Sequence, residues 1–178
     1  DEMFTVASNK LQKIFHSQSA ALFTLDSLTH ELVTRQGGKT IQASNLIFHA
    51  AHSEFPYNLS SSDPALVTYN QTASASSDPT SPNPQPISNA LISRLVDPNN
   101  KVVGIIQITN HLSKGRYDSS DEATLASILP PLTAVALTVE RNRVLEGRIM
   151  AAETKAAKLE RASDSKWLLS GVVEDILT

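Results

Sequence analysis

The chain has 178 residues, 40% of them hydrophobic and 5% aromatic, with a formal net charge of -3. That length carries one domain with a sizeable core plus an appendage, while the scarce aromatics and the lack of a basic stripe exclude single-strand stacking and electrostatic capture of nucleic acid or anionic membrane. There is no cysteine, which excludes disulfides, thiolate catalysis and Cys-ligated zinc and fits a reducing, cytoplasmic compartment.

Residues 2–18 place Met3, Val6, Leu11, Ile14 and Phe15 at helical spacing and predict an opening helix. Ala20 to Leu25 is a short apolar run with strand character. Asp26-Ser27 supplies a turn, Glu31 to Arg35 a second strand, and Gly37-Gly38 its end. Residues 44–53 suit a short helix with Ser44 as N-cap and Leu46, Ile47 and Ala50 facing inward. Residues 58–86 are rich in Ser, Asp, Asn and Pro and read as irregular. Their proline-rich tract, 77–86, excludes helix and central strand and predicts a mobile loop. Asn89 to Val96, the turn Asp97-Pro98-Asn99-Asn100, and Lys101 to Asn110 together predict a hairpin.

Ser119 and Glu122 have capping-box spacing, and Asp121 suits the positive end of a helix dipole. The helix they open carries Leu125, Ile128, Leu129, Leu132, Val135, Ala136 and Val139 as one apolar stripe. Pro130-Pro131 interrupts it, and each proline costs on the order of 3 kcal/mol inside a regular helix, so a kink or break is expected. Beyond Val139, Leu145, Ile149, Ala152, Ala156 and Leu159 follow an alternating four-three spacing. That predicts a thin coiled-coil seam, with a register shift near Ser163 to Lys166. Trp167-Leu168-Leu169 reads either as part of this helix or as the first turn of a following domain. No run is read as long and apolar enough to span a bilayer and no signal peptide opens the chain, so a cytoplasmic segment of a longer protein is expected. The sequons at Asn58 and Asn70 are weak signals in so Ser/Thr-rich a chain.

Three stretches resemble the GAF domain, a sensor module of cyclic-nucleotide phosphodiesterases, adenylyl cyclases, histidine kinases and phytochromes. Ala21 to Asp26 is similar to the family's first strand. Val102 to Asn110 is similar to its "GVIQLVN" strand, and Tyr117, Asp121 and Glu122 fit the end of its Asn-Lys…Phe…Asp-Glu motif, with Asn110 at the start. The likeness covers roughly residues 3–146. It implies an α+β fold, an antiparallel sheet flanked by helices, with residues 147–178 as a C-terminal signalling helix leading to an output domain. One position departs: His111 stands where the family has a lysine that pairs with the aspartate, and Lys114 is the neighbour able to substitute. The resemblance places ligand-contacting positions at Phe23 and at the helix start Ser44, Asn45, Leu46 and Ile47.

The ligand that the family suggests first is cAMP or cGMP. Gly37-Gly38 stands near where cyclic-nucleotide binders carry an aromatic-acidic pair, so the stacking groups are missing there. Amides at Ser44-Asn45 are able to face a phosphate, as at any helix start. The missing cysteines remove bilin and sulfoxide-reductase roles. His49, His52 and Glu54 make a thin metal set, better read as solvated side chains. No Gly-x-Ser-x-Gly elbow or Gly-rich phosphate loop supports an enzyme. Asn110, Asp121 and Glu122 are read first as turn and cap chemistry rather than ligand contacts. The expectation is a non-enzymatic regulatory module, homodimeric through Leu145, Ile149, Ala152, Ala156 and Leu159, with a small-molecule ligand unidentified, no metal, and no nucleic-acid or membrane partner.

Overall fold

The computed structural model describes residues 2–26, 29, 31–36, 39–42, 47, 50, 52–53, 56–75 and 86–176. Side chains at 35–36, 39–42, 74–75 and 164–176 lie outside that description. Among the described residues, three helices, α1 (Glu2–Ile14), α2 (Pro64–Ala75) and α3 (Ser119–Ile176), accompany six strands: β1 (Ser17–Leu25), β2 (Leu32–Gln36), β3 (Lys39–Gln42), β4 (Tyr57–Ser60), β5 (Asn89–Val96) and β6 (Val102–His111). The strands form one sheet in the order β3-β2-β1-β6-β5-β4, and every neighbouring pair is antiparallel. The architecture is therefore the expected α+β arrangement. The chain divides into two compact units, Asp1–Glu140 and Arg141–Thr178.

The sheet is covered on both faces, and the alternation of side chains shows how. Ala20 and Leu22 of β1, Leu91 and Leu95 of β5, and Ile106 and Ile108 of β6 share one core with Phe4 and Leu11 of α1 and Leu125 and Ala136 of α3. Their neighbours Phe23, Ala90, Ile92 and Ile105 point the other way, into a second core with Ile47, Ala50, Leu59 and Leu66. Strands buried on both faces read as continuous apolar runs, so Leu91-Ile92 and Ile105-Ile106 show no polar alternation in sequence. Gly104 is fixed by the strand spacing: a Cβ there would lie 2.5 Å from the Phe23 carbonyl oxygen.

The expected hairpin is present, β5 and β6 pairing from Ala90↔Thr109 to Val96↔Val102. Its turn is held by Asp97, whose Oδ1 accepts from the amides of Asn99 and Lys101, both at 2.9 Å. Asn100 takes a positive φ of 62°, which asparagine tolerates better than most residues.

Several expectations are corrected. Helix α1 forms, but it turns Phe4, Ser8 and Leu11 inward and leaves Met3, Val6 and Ile14 exposed. A further strand, β3, follows Gly37-Gly38 and pairs with β2. Residues 58–86 are not wholly irregular: Tyr57–Ser60 is an edge strand and Pro64–Ala75 a helix. Proline at the first helical position has a fixed φ suited to that place, and the amides of Leu66 and Val67 both reach the Asp63 carbonyl at 3.0 Å. Asn70 of α2 clasps the backbone of Ile87 through both ends of its amide, at 2.8 and 2.9 Å. Its amide nitrogen, and that of Asn58, are thus committed inside the protein rather than offered to a glycan. The predicted mobile loop, 77–86, lies outside the described residues except for Pro86.

Helix α3 continues through Pro130 and Pro131 without a break. Each proline removes one amide, so the carbonyls of Ala126 and Ser127 lose their in-helix donors, yet both prolines are exposed and the stripe on either side stays packed on the first core. Contrary to expectation, α3 also holds one stretch that is long and apolar enough, by length and composition only, to cross a membrane. The stretch lies within Ser119–Ser163 and has mean hydropathy 1.4. Around the prolines the outward face carries alanine and Leu137 rather than charge, so both faces of this segment read as apolar.

Candidate functional site

The residues that carried the motif converge where β6 ends and α3 begins. Asn110 adopts a φ of 57°, and its side chain ties three segments together. Its amide nitrogen donates to Gln18 Oε1 at 2.9 Å and to the Pro86 carbonyl at 3.2 Å, while its oxygen accepts from the Ser88 amide at 2.7 Å. The next residue, His111, is buried, and its Nδ1 accepts from the amides of Ser113 and Lys114 at 3.1 and 3.2 Å. Nδ1 therefore serves as an acceptor for the turn in this arrangement. Asn89 fastens the same turn from β5, accepting from the His111 amide at 2.8 Å and donating to the Lys114 carbonyl at 3.1 Å.

Helix α3 is capped by Asp118, not by Ser119 with Glu122 as the spacing suggested. Asp118 Oδ1 accepts from the amides of Ser120 and Asp121, and Asp121 Oδ2 accepts from the Asp118 amide at 2.9 Å. This is a reciprocal box with aspartate at both ends. Lys114 Nζ then bridges both carboxylates, at 2.6 Å from Asp118 and 3.1 Å from Asp121. The substitution expected for the departure at His111 is thus present. The lysine bond, followed by the Asp121 amide, holds the Asp118 carboxyl well below the usual range, and the two aspartates push the Lys114 ammonium up. Glu122, released from capping, accepts from the Asn58 amide at 2.7 Å, and the same amide donates to the Tyr117 carbonyl at 2.9 Å.

Tyr117 plugs the corner from inside. It is buried in the first core, with its ring 5.4 Å from that of His111 at an interplanar angle of 66°. Its hydroxyl and that of Ser17 are buried close together without a well-formed hydrogen bond. Burial, then the Asp121 charge, pushes the phenol up, and Ser17 opposes both.

Asn110, Tyr117, Asp121 and Glu122 are therefore brought together, as structural members whose polar groups largely face one another. Sequence reasoning missed Asp118, Asn58 and Asn89. Asp118 carried a readable signal, since aspartate is among the preferred residues just ahead of a helix. The ligand-contacting positions are not assembled into a polar site. Phe23 and Ile47 lie in the second, apolar core, while Ser44, Asn45 and Leu46 lie outside the described residues. His49 and Glu54 also lie outside them, His52 is exposed, and no metal-ligating cluster occurs among the described residues.

No family model and no curated protein matches the sequence. Solved structures do match the fold. The GAF domain of a phosphoenolpyruvate-protein phosphotransferase from Coxiella burnetii superposes with a TM-score of 0.54 at 18% identity, covering 80% of this chain and 84% of that one. The second GAF domain of DevS from Mycobacterium smegmatis gives 0.50 at 12% identity, covering 81% and 97%. With the sheet order, the two-sided core and the Asn-to-Asp-Glu corner in place, this chain has the fold of a GAF domain.

Proposed function

We propose that this protein is a regulatory, non-enzymatic module that forms a parallel homodimer through α3 and passes changes in its sensor domain along that helix to a linked output domain. The observation that carries this reading is the unburied seam: Leu145, Ile149 and Leu159 are 46%, 57% and 63% exposed, and Ala152 and Ala156 are exposed with them. Apolar residues at four-three spacing along one helix face gain stability only against a partner helix, and a second copy supplies the same seam. The seam is thin because alanine buries little area, which suits a helix pair lying within a few kcal/mol of an alternative packing. Light scattering on the purified protein tests it. A dimer is expected at tens of micromolar, with Leu145→Asp plus Ile149→Asp converting it to monomer. Monomeric wild-type protein at that concentration overturns the reading.

A cAMP or cGMP sensor draws no support from the described residues, because the described ligand positions, Phe23 and Ile47, are apolar core. Calorimetric titration with either nucleotide is expected to give no saturable heat. Saturable micromolar binding would make the nucleotide sensor the correct reading.

A further inference from the structure

The exposed seam of α3 is flanked by a second pattern, one of charge. Ile149 and Ala156 stand at the a positions of a heptad, and Leu145, Ala152 and Leu159 at the d positions. In that frame Glu146, Glu153 and Glu160 all fall at e, just after d, and Arg141, Arg148 and Lys155 all fall at g, just before a. No other acid occurs between Arg141 and Arg161, and Asn142 takes the first a position. The pattern stops at Ala162 and Ser163, the next g and a.

This charge order does not serve the single helix. An acid supports its own helix best by pairing with a cation four residues away, and no cation stands four residues before or after any of the three glutamates. All six charged side chains are exposed, and among the described residues none of the six holds a hydrogen bond or ion pair within the chain. Across a parallel pair in register, the g residue of one helix meets the e residue five places on in its partner. Those meetings are Arg141 with Glu146, Arg148 with Glu153 and Lys155 with Glu160, all of opposite sign. Antiparallel packing sets g against g and e against e, which opposes cation to cation and acid to acid.

We infer that the e and g charges, with Asn142, form a recognition code that admits one partner in one arrangement: a second copy of this chain, parallel and in register over residues 141–160. The inference rests on the dimer proposed above and adds what selects its partner and its direction. Isoleucine at a with leucine at d favours two strands, and Asn142 meeting its counterpart fixes the register at a cost in stability. Because alanine thins the seam, the charges carry a larger share of the choice, and they oppose helices that lack the complementary order.

Sedimentation equilibrium of three full-length 178-residue chains in low salt tests it. The unchanged chain is expected to dimerise. Arg141→Glu, Arg148→Glu and Lys155→Glu together oppose acid to acid at every contact between g and e, and should raise the dissociation constant about tenfold or more. Adding Glu146→Lys, Glu153→Lys and Glu160→Lys to that variant restores opposite signs and should return the constant to within about threefold of the original. In an antiparallel pair neither set of changes removes the like-charge contacts, so only parallel packing gives both the loss and the rescue. The melting transition of Asp1–Glu140 should be the same in all three chains. With no substitution at all, molar sodium chloride should weaken the unchanged dimer several-fold, because exposed pairs are screened. Equal constants for the three chains, a six-residue variant as weak as the triple one, or a dimer indifferent to salt would overturn the code and leave the dimer standing. A monomeric unchanged chain would overturn the code and the dimer together.

Discussion

At the scale of single residues, the corner between β6 and α3 is held by charges that water reaches and by one ring that it does not. The sign of the charged part follows from the shifts. Asp118 is held low, so its contribution is full above the ordinary aspartate value and is lost as pH falls through the lowered one. Lys114 is pushed up, so its contribution is full below 10.5 and is lost as pH rises through the raised value. The bridge is intact across the neutral range between them. Both side chains are exposed, so salt screens it. Thermal melts at pH 7 should show Lys114→Met lowering the midpoint slightly in low salt and not at all in molar salt. Tyr117 belongs to the buried class. Its hydroxyl makes no well-formed hydrogen bond among the described residues, with the Ser17 hydroxyl close by, so Tyr117→Phe removes a poorly satisfied polar group and should leave stability unchanged or raise it by up to about 1 kcal/mol in chemical denaturation. Gly104→Ala should cost about 1–3 kcal/mol or more, because the added Cβ meets the backbone of Phe23 rather than a side chain able to move.

At the scale of elements, what was legible in the sequence tracks how strongly each element is specified locally. The β5–β6 hairpin was readable because a turn with aspartate, proline and two asparagines separates two β-branched and aliphatic runs. Strand β4 was not, because Tyr57-Asn58-Leu59-Ser60 owes its conformation to pairing with Asn89–Ile92 on the neighbouring strand. Helix α2 hid behind Ser, Thr and Asn, whose preferences favour turns, though Asp63-Pro64 was a usable start signal. In α1 the helix was evident, but its apolar residues lie on more than one face, and periodicity alone did not choose Phe4 over Met3 and Val6. Of the candidate site, the corner was legible because its polar residues sit at fixed offsets within one short stretch. The partners Asn58 and Asn89 were not, since only folding brings them there. The prolines of α3 give a prediction at this scale. Pro130→Ala returns an amide to the Ala126 carbonyl at an exposed position inside a continuous helix. It should raise the melting temperature, by the equivalent of about 1–3 kcal/mol; a lowered midpoint would mean that the proline is required by its surroundings.

At the scale of the whole molecule, the sheet and its two cores account for the first unit, and the seam of α3 is left exposed among the described residues. Removing Arg141–Thr178 should leave the melting transition of the first unit largely in place while converting dimer to monomer, as followed by light scattering, because the deleted residues form a separate compact unit. The chain's lack of cysteine permits a direct test of the pairing. Ile149 lies on the seam and Thr154, five residues on, faces about 140° away on the helix. Oxidation of Ile149→Cys protein at micromolar concentration should give a covalent dimer in high yield, and Thr154→Cys should not. Equal yields from both, or none from Ile149→Cys, would contradict a parallel dimer built on this seam.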